Sequence, residues 1–364
     1  MRATRRVELG EAKAIVRAVA EWRSAIEKRV ENAAAKQLHD LVWAKLAPHL
    51  PAGTKTLYLS PDGDLARLPW AALPIGKDRV LLEDYVIATV PHGPFLLEQL
   101  KYPRKYAGLE STLMLGDVTY GSDVWPALPG TLAEMNAIAA LARGERETVN
   151  KSAATPERLT KSLPKARFAH LATHGEFQAK EFAADQQRAA KAMETRRFGD
   201  ETQRVATENP LGYVGLVLSG GEIISGLSIL DLNLENLKLI TLSACETGLG
   251  EYTGGKGVEN LQTAFHVAGC PNVVASLWKV NDAATAALMC KFYHELWVNK
   301  KPPIEALREA QLTIYRHPEL IPDLAGERGA VRLREAVAAK ASVVPSGQRV
   351  TAPTRLWAAF VLSG

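Results

Sequence analysis

Apolar positions recur with two different periods along the chain. From about residue 9 to 47 they keep helical spacing with charges between them, as in Ile15, Val19, Trp22, Ile26, Leu38 and Val42. That spacing predicts one long N-terminal helix, stopped by Pro48 and Pro51. Beyond it the texture changes to short apolar runs. Strands are expected at 54–60, 83–91, 111–118, 166–175, 215–221, 237–245, 272–278 and 355–364. Helical patterns separate or follow them at 128–142, 257–269, 282–297, 303–316 and 330–342. Strands that are apolar throughout and alternate with helices imply an α/β sandwich, a mainly parallel sheet covered on both faces. Residues 177–209 break the pattern: polar, charged and strand-free, they read as a surface insertion, partly helical and mobile. They carry Arg196, Arg197 and Arg204, which makes self-cleavage after a basic residue an expectation there. The organisation expected is an N-terminal helical segment, 1–50, and one large domain, 51–364. No repeat of about 34 residues is present, which argues against a tetratricopeptide array.

Composition narrows the classes. A chain of 364 residues that is 47% hydrophobic can bury a large core. Charged residues make up 23% and the net charge is +4, too little for a general nucleic-acid-binding field, so no direct nucleic-acid binding is expected. Three cysteines without a CxxC spacing point to a reducing, cytoplasmic setting rather than a disulfide framework. The N-terminal stretch has charges but no apolar signal region, and no apolar run is long enough to span a bilayer.

Two strand ends carry chemistry. "FAHLATHG" ends on His174-Gly175, and "LITLSAC" ends on Cys245. In parallel α/β sheets functional groups gather at the carboxyl ends of strands. If these two strands are neighbours, the side chains can meet as a base and a nucleophile. A free thiol is only a few per cent thiolate at neutral pH, and an adjacent imidazole raises its reactivity and later protonates a leaving amine. The N–H groups of Gly175 and Cys245 are candidates for an oxyanion hole.

With these residues in view, "HLATHG" followed by "LSACETG" resembles the paired signatures of CHAT domains, caspase-like cysteine peptidases of clan CD. "YLSPDGDLARLPWAALP", "LLEDYVIATVP", "GGKGVENLQTAFHVAGCPNVVASLWKVND" and "PTRLWAAFVLSG" resemble further blocks of that family in order, over roughly residues 54–364. "AGCPNVVASLWKVND" also resembles separase, a related clan CD protease. The resemblance implies a caspase-like three-layer fold. It implies His174 as general acid–base, Cys245 as nucleophile, and Gly175 and Cys245 as oxyanion donors. It implies an endopeptidase acting on a protein or peptide substrate. Family members often follow helical repeats that sense a partner, so a regulatory protein partner is expected, and some relatives belong to bacterial defence systems. The caspase consensus QAC[RQG]G is absent, so cleavage after Asp does not follow. The alternative is a CHAT-like scaffold or regulatory binding module with the dyad unused.

Asp282 has two readings. It follows Asn281 at the start of a helical run, as a helix N-cap would. By resemblance it lies where clan CD enzymes line the pocket for the residue before the scissile bond, which makes it a candidate for binding arginine, with Lys279 a nearby competitor. Cys270 and Cys290 read as packing residues, as do His266 and His294. His170 shares an inferred strand face with His174 and reads as a packed histidine. No Cys/His cluster has metal-ligand spacing, and the glycines of "ETGLGEYTGGKG" lack the phosphate-loop Lys-Ser/Thr, so neither a metal nor another cofactor is expected.

Overall fold

The computed structural model describes residues 4–30, 33–76, 79–194, 209–244, 256–278, 281–325 and 351–364. The N-terminal helix is shorter than its apolar pattern. Helix α1 covers Ala12–Lys28 and ends at Arg29, whose left-handed backbone (φ 59) turns its N–H back to Ala25 and Ile26 carbonyls. Helix α2, Ala34–Leu38, then begins a second segment that passes through a π-type turn at His39–Trp43. The periodicity runs across the break because both helices face one core: Ile15, Val19 and Trp22 meet the same cluster as Leu38, Val42 and Trp43. The break itself is exposed: residues 27–30 and Ala33 face solvent, Val30 among them, and burial resumes at Ala34.

Thirteen strands follow among the described residues. β1 is Thr56–Leu59; β2 (Pro74–Gly76) and β3 (Arg79–Val80) pair as a small hairpin; β4 is Val86–Thr89 and β5 is Ser111–Val118. After helix α3 (Gly130–Leu141) come β6 (Glu145–Lys151), β7 (Phe168–Leu171) and β8 (His174–Phe177). Helix α4 is Ala179–Glu194, and β9 (Val214–Val217), β10 (Ile223–Ser225) and β11 (Leu239–Leu242) follow it. Helix α5 (Lys256–Val267), β12 (Val273–Ser276), helices α6 (Asp282–Tyr293) and α7 (Pro303–Arg316), and β13 (Phe360–Ser363) complete the order.

Eight strands form one sheet in the order β1-β4-β13-β12-β11-β7-β5-β6. Every neighbouring pair is parallel except β12 and β13. The alternating pleat divides the side chains between two layers. Met114, Phe168 and Leu239 face the layer of α3, α6 and α7, while Leu115, Leu171 and Leu242 face the other side with α5. This is the mainly parallel, helix-flanked sheet expected, with helices at its N-terminus.

Three local departures have clear causes. Strand β6 was not anticipated: "ERETVNK" has one buried apolar residue, Val149, because an edge strand needs little apolar surface. The run 166–175 is two strands. β7 stays in the main sheet and β8 joins the three-stranded antiparallel sheet β10-β9-β8. Both halves are buried, so composition gives no sign of the switch. Within 177–209, Phe177 ends β8 and α4 is anchored by Phe182, whose ring lies 5.8 Å from Phe177 and 5.2 Å from Tyr213. Arg196, Arg197 and Arg204 lie outside the described residues, as does the helix expected at 330–342.

Candidate active site

Strands β7 and β11 are parallel neighbours, in register from Phe168 against Leu239 to Leu171 against Leu242. The Ser243 N–H donates to the Leu171 carbonyl (2.9 Å), the last bond of this ladder among the described residues. His174 and Cys245 therefore each stand three positions past the same register pair in sequence. The description reaches Ala244, which is fully buried, and Cys245 lies outside the described residues.

His174 is held from three sides. Its Nε2 lies 2.7 Å from the Pro126 carbonyl oxygen. A carbonyl can only accept, so Nε2 carries the hydrogen, and the neutral ring keeps Nδ1 as its base. The rings of Tyr120 and Trp125 flank the imidazole at 4.8 and 5.3 Å. Next to it, Thr173 Oγ1 donates to the Val217 carbonyl and accepts from the Tyr120 hydroxyl (2.9 Å). Gly175 is buried in β8, level with Leu216. The stretch between β5 and α3 supplies Tyr120, Trp125 and Pro126, none of which was picked out from sequence. The available signal was Trp-Pro just past a strand that pairs with β7.

Asp282 is not the cap of α6. Asn281 is: its Oδ1 accepts from the N–H groups of Ala283 (3.1 Å) and Ala284 (3.3 Å), and Asp282 is the first helical residue. The cap belongs to the residue whose backbone is still extended, and that is Asn281. The Asp282 side chain is exposed rather than buried. It lies against Gly130, where an added Cβ would come within 2.8 Å of its Oδ2. Pro126 and Gly130 thus mark two ends of a short segment, one end at His174 and the other at Asp282. Lys279 lies outside the described residues.

A model of the CHAT domain matches residues 32–364. The chain belongs to the CHAT-domain family. No curated protein matches it. Among solved structures it is similar to separase in a Saccharomyces cerevisiae separase–securin complex, with 14% identity and a TM-score of 0.49 over 90% of this chain and 17% of that one. It is also similar to the Arg-specific cysteine proteinase gingipain R, with 11% identity and a TM-score of 0.45 over 94% of this chain and 69% of that one. These likenesses are distant, and family membership rests on the domain match. The CHAT domain spans a small part of the separase chain.

The thiols of Cys270 and Cys290 and the imidazoles of His266 and His294 are packed. Cys270 and Cys290 are fully buried, and burial pushes each thiol up to about 12. His266 is held down at about 4 by burial. His294 is buried in the π-type turn after α6. Among the described residues no helix is long and apolar enough to cross a membrane.

Proposed function

We propose that this CHAT domain is a cysteine endopeptidase in which Cys245 is the nucleophile and His174 the general acid–base. The observation that carries the reading is the register of β7 against β11, which gives both motifs a common strand end. The Pro126 carbonyl supports it by fixing the imidazole tautomer with Nδ1 as the base. In the proposed reaction the thiolate attacks the scissile carbonyl, and the imidazolium protonates the departing amine. Water then adds to the thioester and releases the acid and the thiol. The N–H groups of Gly175 and Cys245 are the proposed oxyanion donors, each worth about 2.7–4 kcal/mol in the transition state.

Asp282 is the proposed selector of a basic side chain before the scissile bond. Its exposure leaves the carboxylate open to an incoming cation, and the 126–130 segment spans at most about 14 Å of extended chain between it and the histidine's anchor. Arginine is expected to outrank lysine because its fork pairs both carboxylate oxygens. Control by a protein partner is proposed to act through α1, which precedes the matched span and reaches the segment after β12.

The test is labelling with a library of peptidyl acyloxymethyl ketones, read by mass spectrometry. The expected outcome is one adduct on Cys245, formed fastest with arginine next to the ketone. His174→Ala should slow it by several orders of magnitude. Asp282→Asn should remove the preference for arginine while the melting temperature holds. Absence of any Cys245 adduct would favour the silent scaffold, and a preference for an apolar residue would remove Asp282 alone.

A further inference from the structure

A chain of buried polar side chains lies directly beneath the strand ends. It draws on four elements: Glu134 from α3, His170 from β7, Tyr293 from α6, and Thr241 and Ser243 from β11 and the residue after it. Their exposures are 4%, 0%, 0%, 0% and 8%. Ser243 Oγ donates to Glu134 Oε1 at 2.9 Å, and His170 Nε2 stands 3.1 Å from that same oxygen. His170 Nδ1 meets the Tyr293 hydroxyl at 3.2 Å, and Tyr293 donates to Thr241 Oγ1 at 2.9 Å.

The surroundings make this chain expensive. Its neighbours on the same face are Met114, Phe168, Leu239, Met135 and Ile138. A carboxyl and an imidazole in such a layer carry a desolvation cost that apolar side chains of similar volume would not. The backbone does not require them, because β7 and β11 already satisfy each other through their ladder. Ser243 bonds Glu134, Tyr293 links His170 Nδ1 to Thr241, and His170 Nε2 faces Glu134 at ion-pair distance without hydrogen-bond geometry, so the chain of contacts leads to Ser243. That residue carries the last β7–β11 ladder bond among the described residues, two positions before Cys245. One ladder bond holds its N–H, and the Glu134 bond fixes its hydroxyl, so the direction in which the backbone leaves the strand is set from both sides.

We infer that Glu134 and His170 are positioning residues for the nucleophile, acting through the Ser243 hydroxyl. The inference rests on the reading of Cys245 as nucleophile. Glu134 holds Ser243, the His170 imidazole faces Glu134 at ion-pair distance, and Tyr293 with Thr241 holds the imidazole. A misdirected strand end would move the thiol away from His174 and reduce the fraction held as thiolate.

The experiment measures the second-order rate of Cys245 carboxamidomethylation by iodoacetamide, located by peptide mass spectrometry, with the thermal midpoint of each variant. His174→Ala tests the dyad: it should react far more slowly than wild type, and equal rates would remove the dyad reading. Ser243→Ala and Glu134→Gln test the inference. Each should slow the reaction at least tenfold, the double variant should be no slower than the slower single one, and Ser243→Thr, which restores a hydroxyl, should recover most of the rate. A side-chain network that only stabilised the fold would lower the thermal midpoint and leave the rate unchanged or raised. If Ser243→Ala reacts at the wild-type rate while His174→Ala is slow, the positioning role is overturned and the dyad stands.

Discussion

At the scale of single residues, protein–protein hydrogen bonds decide which imidazole is free to act. His174 uses one nitrogen on a carbonyl and keeps the other. His266 keeps neither: Nδ1 donates to the Cys270 carbonyl at 2.8 Å, and Nε2 accepts from Ser363 Oγ at 2.9 Å. Burial holds His266 at about 4 in the folded chain, below its ordinary 6.5. Between those values the unfolded chain takes up a proton that the folded chain refuses. Stability is therefore complete above about pH 6.5, falls as pH drops toward 4, and then levels. The loss from this group at pH 4.5 is about 2–3 kcal/mol by linkage. Urea unfolding at pH 7 and pH 4.5 checks it. His266→Gln should lose less stability than wild type on acidification by about that amount, and equal losses would refute the assignment.

At the scale of elements, α1 is tied in by more than its apolar stripe. Arg23 is buried, with Nη2 donating to the Leu277 carbonyl at 2.9 Å and Nη1 to the Arg67 carbonyl at 3.2 Å. Burial first, and then the like charge of Arg67, push its guanidinium down to about 10. The Leu277 carbonyl lies just past β12, on the chain that goes on to Asn281 and Asp282. Arg23→Ala removes a packed stem and leaves two carbonyls without these donors. We expect it to destabilise by about 1–3 kcal/mol. Arg17→Ala, on the exposed face of the same helix and paired with Glu21, should leave the denaturant midpoint unchanged. Denaturant midpoints of the two variants decide, and equal effects would mean that Arg23 contributes no more than a surface charge.

At the scale of the whole molecule, the sheet is two parallel blocks joined by the end of the chain. β13 lies between β4 and β12, antiparallel to β12 from Val273 against Ser363 to Ser276 against Phe360. Gly364 N–H adds a bond to the Thr89 carbonyl at 2.9 Å. Removing residues 351–364 would leave β4 and β12 without their common neighbour. The expected result is a chain with no cooperative thermal transition by circular dichroism. A sharp transition near that of the full chain would show that the blocks hold without β13.

The apolar runs of β5, β7, β11 and β12 were legible in the sequence because a strand buried on both faces must be apolar along its length. The two motifs "THG" and "SAC" were legible for the same reason, as polar interruptions at the ends of such runs. What the sequence could not determine was adjacency. Period records whether a strand is buried and on which faces, and says nothing of which strand lies beside it. The neighbouring of β7 and β11, from which the proposed pairing of His174 with Cys245 is argued, is decided only by the tertiary order. The switch from β7 to β8 leaves burial unchanged and so leaves no trace in the pattern. The Pro126 carbonyl is invisible for a different reason, since every residue has one. Glu134 was not singled out from the sequence and His170 read as a packed histidine; the fold brings α3 over the strand ends, where Glu134 bonds Ser243 and faces His170.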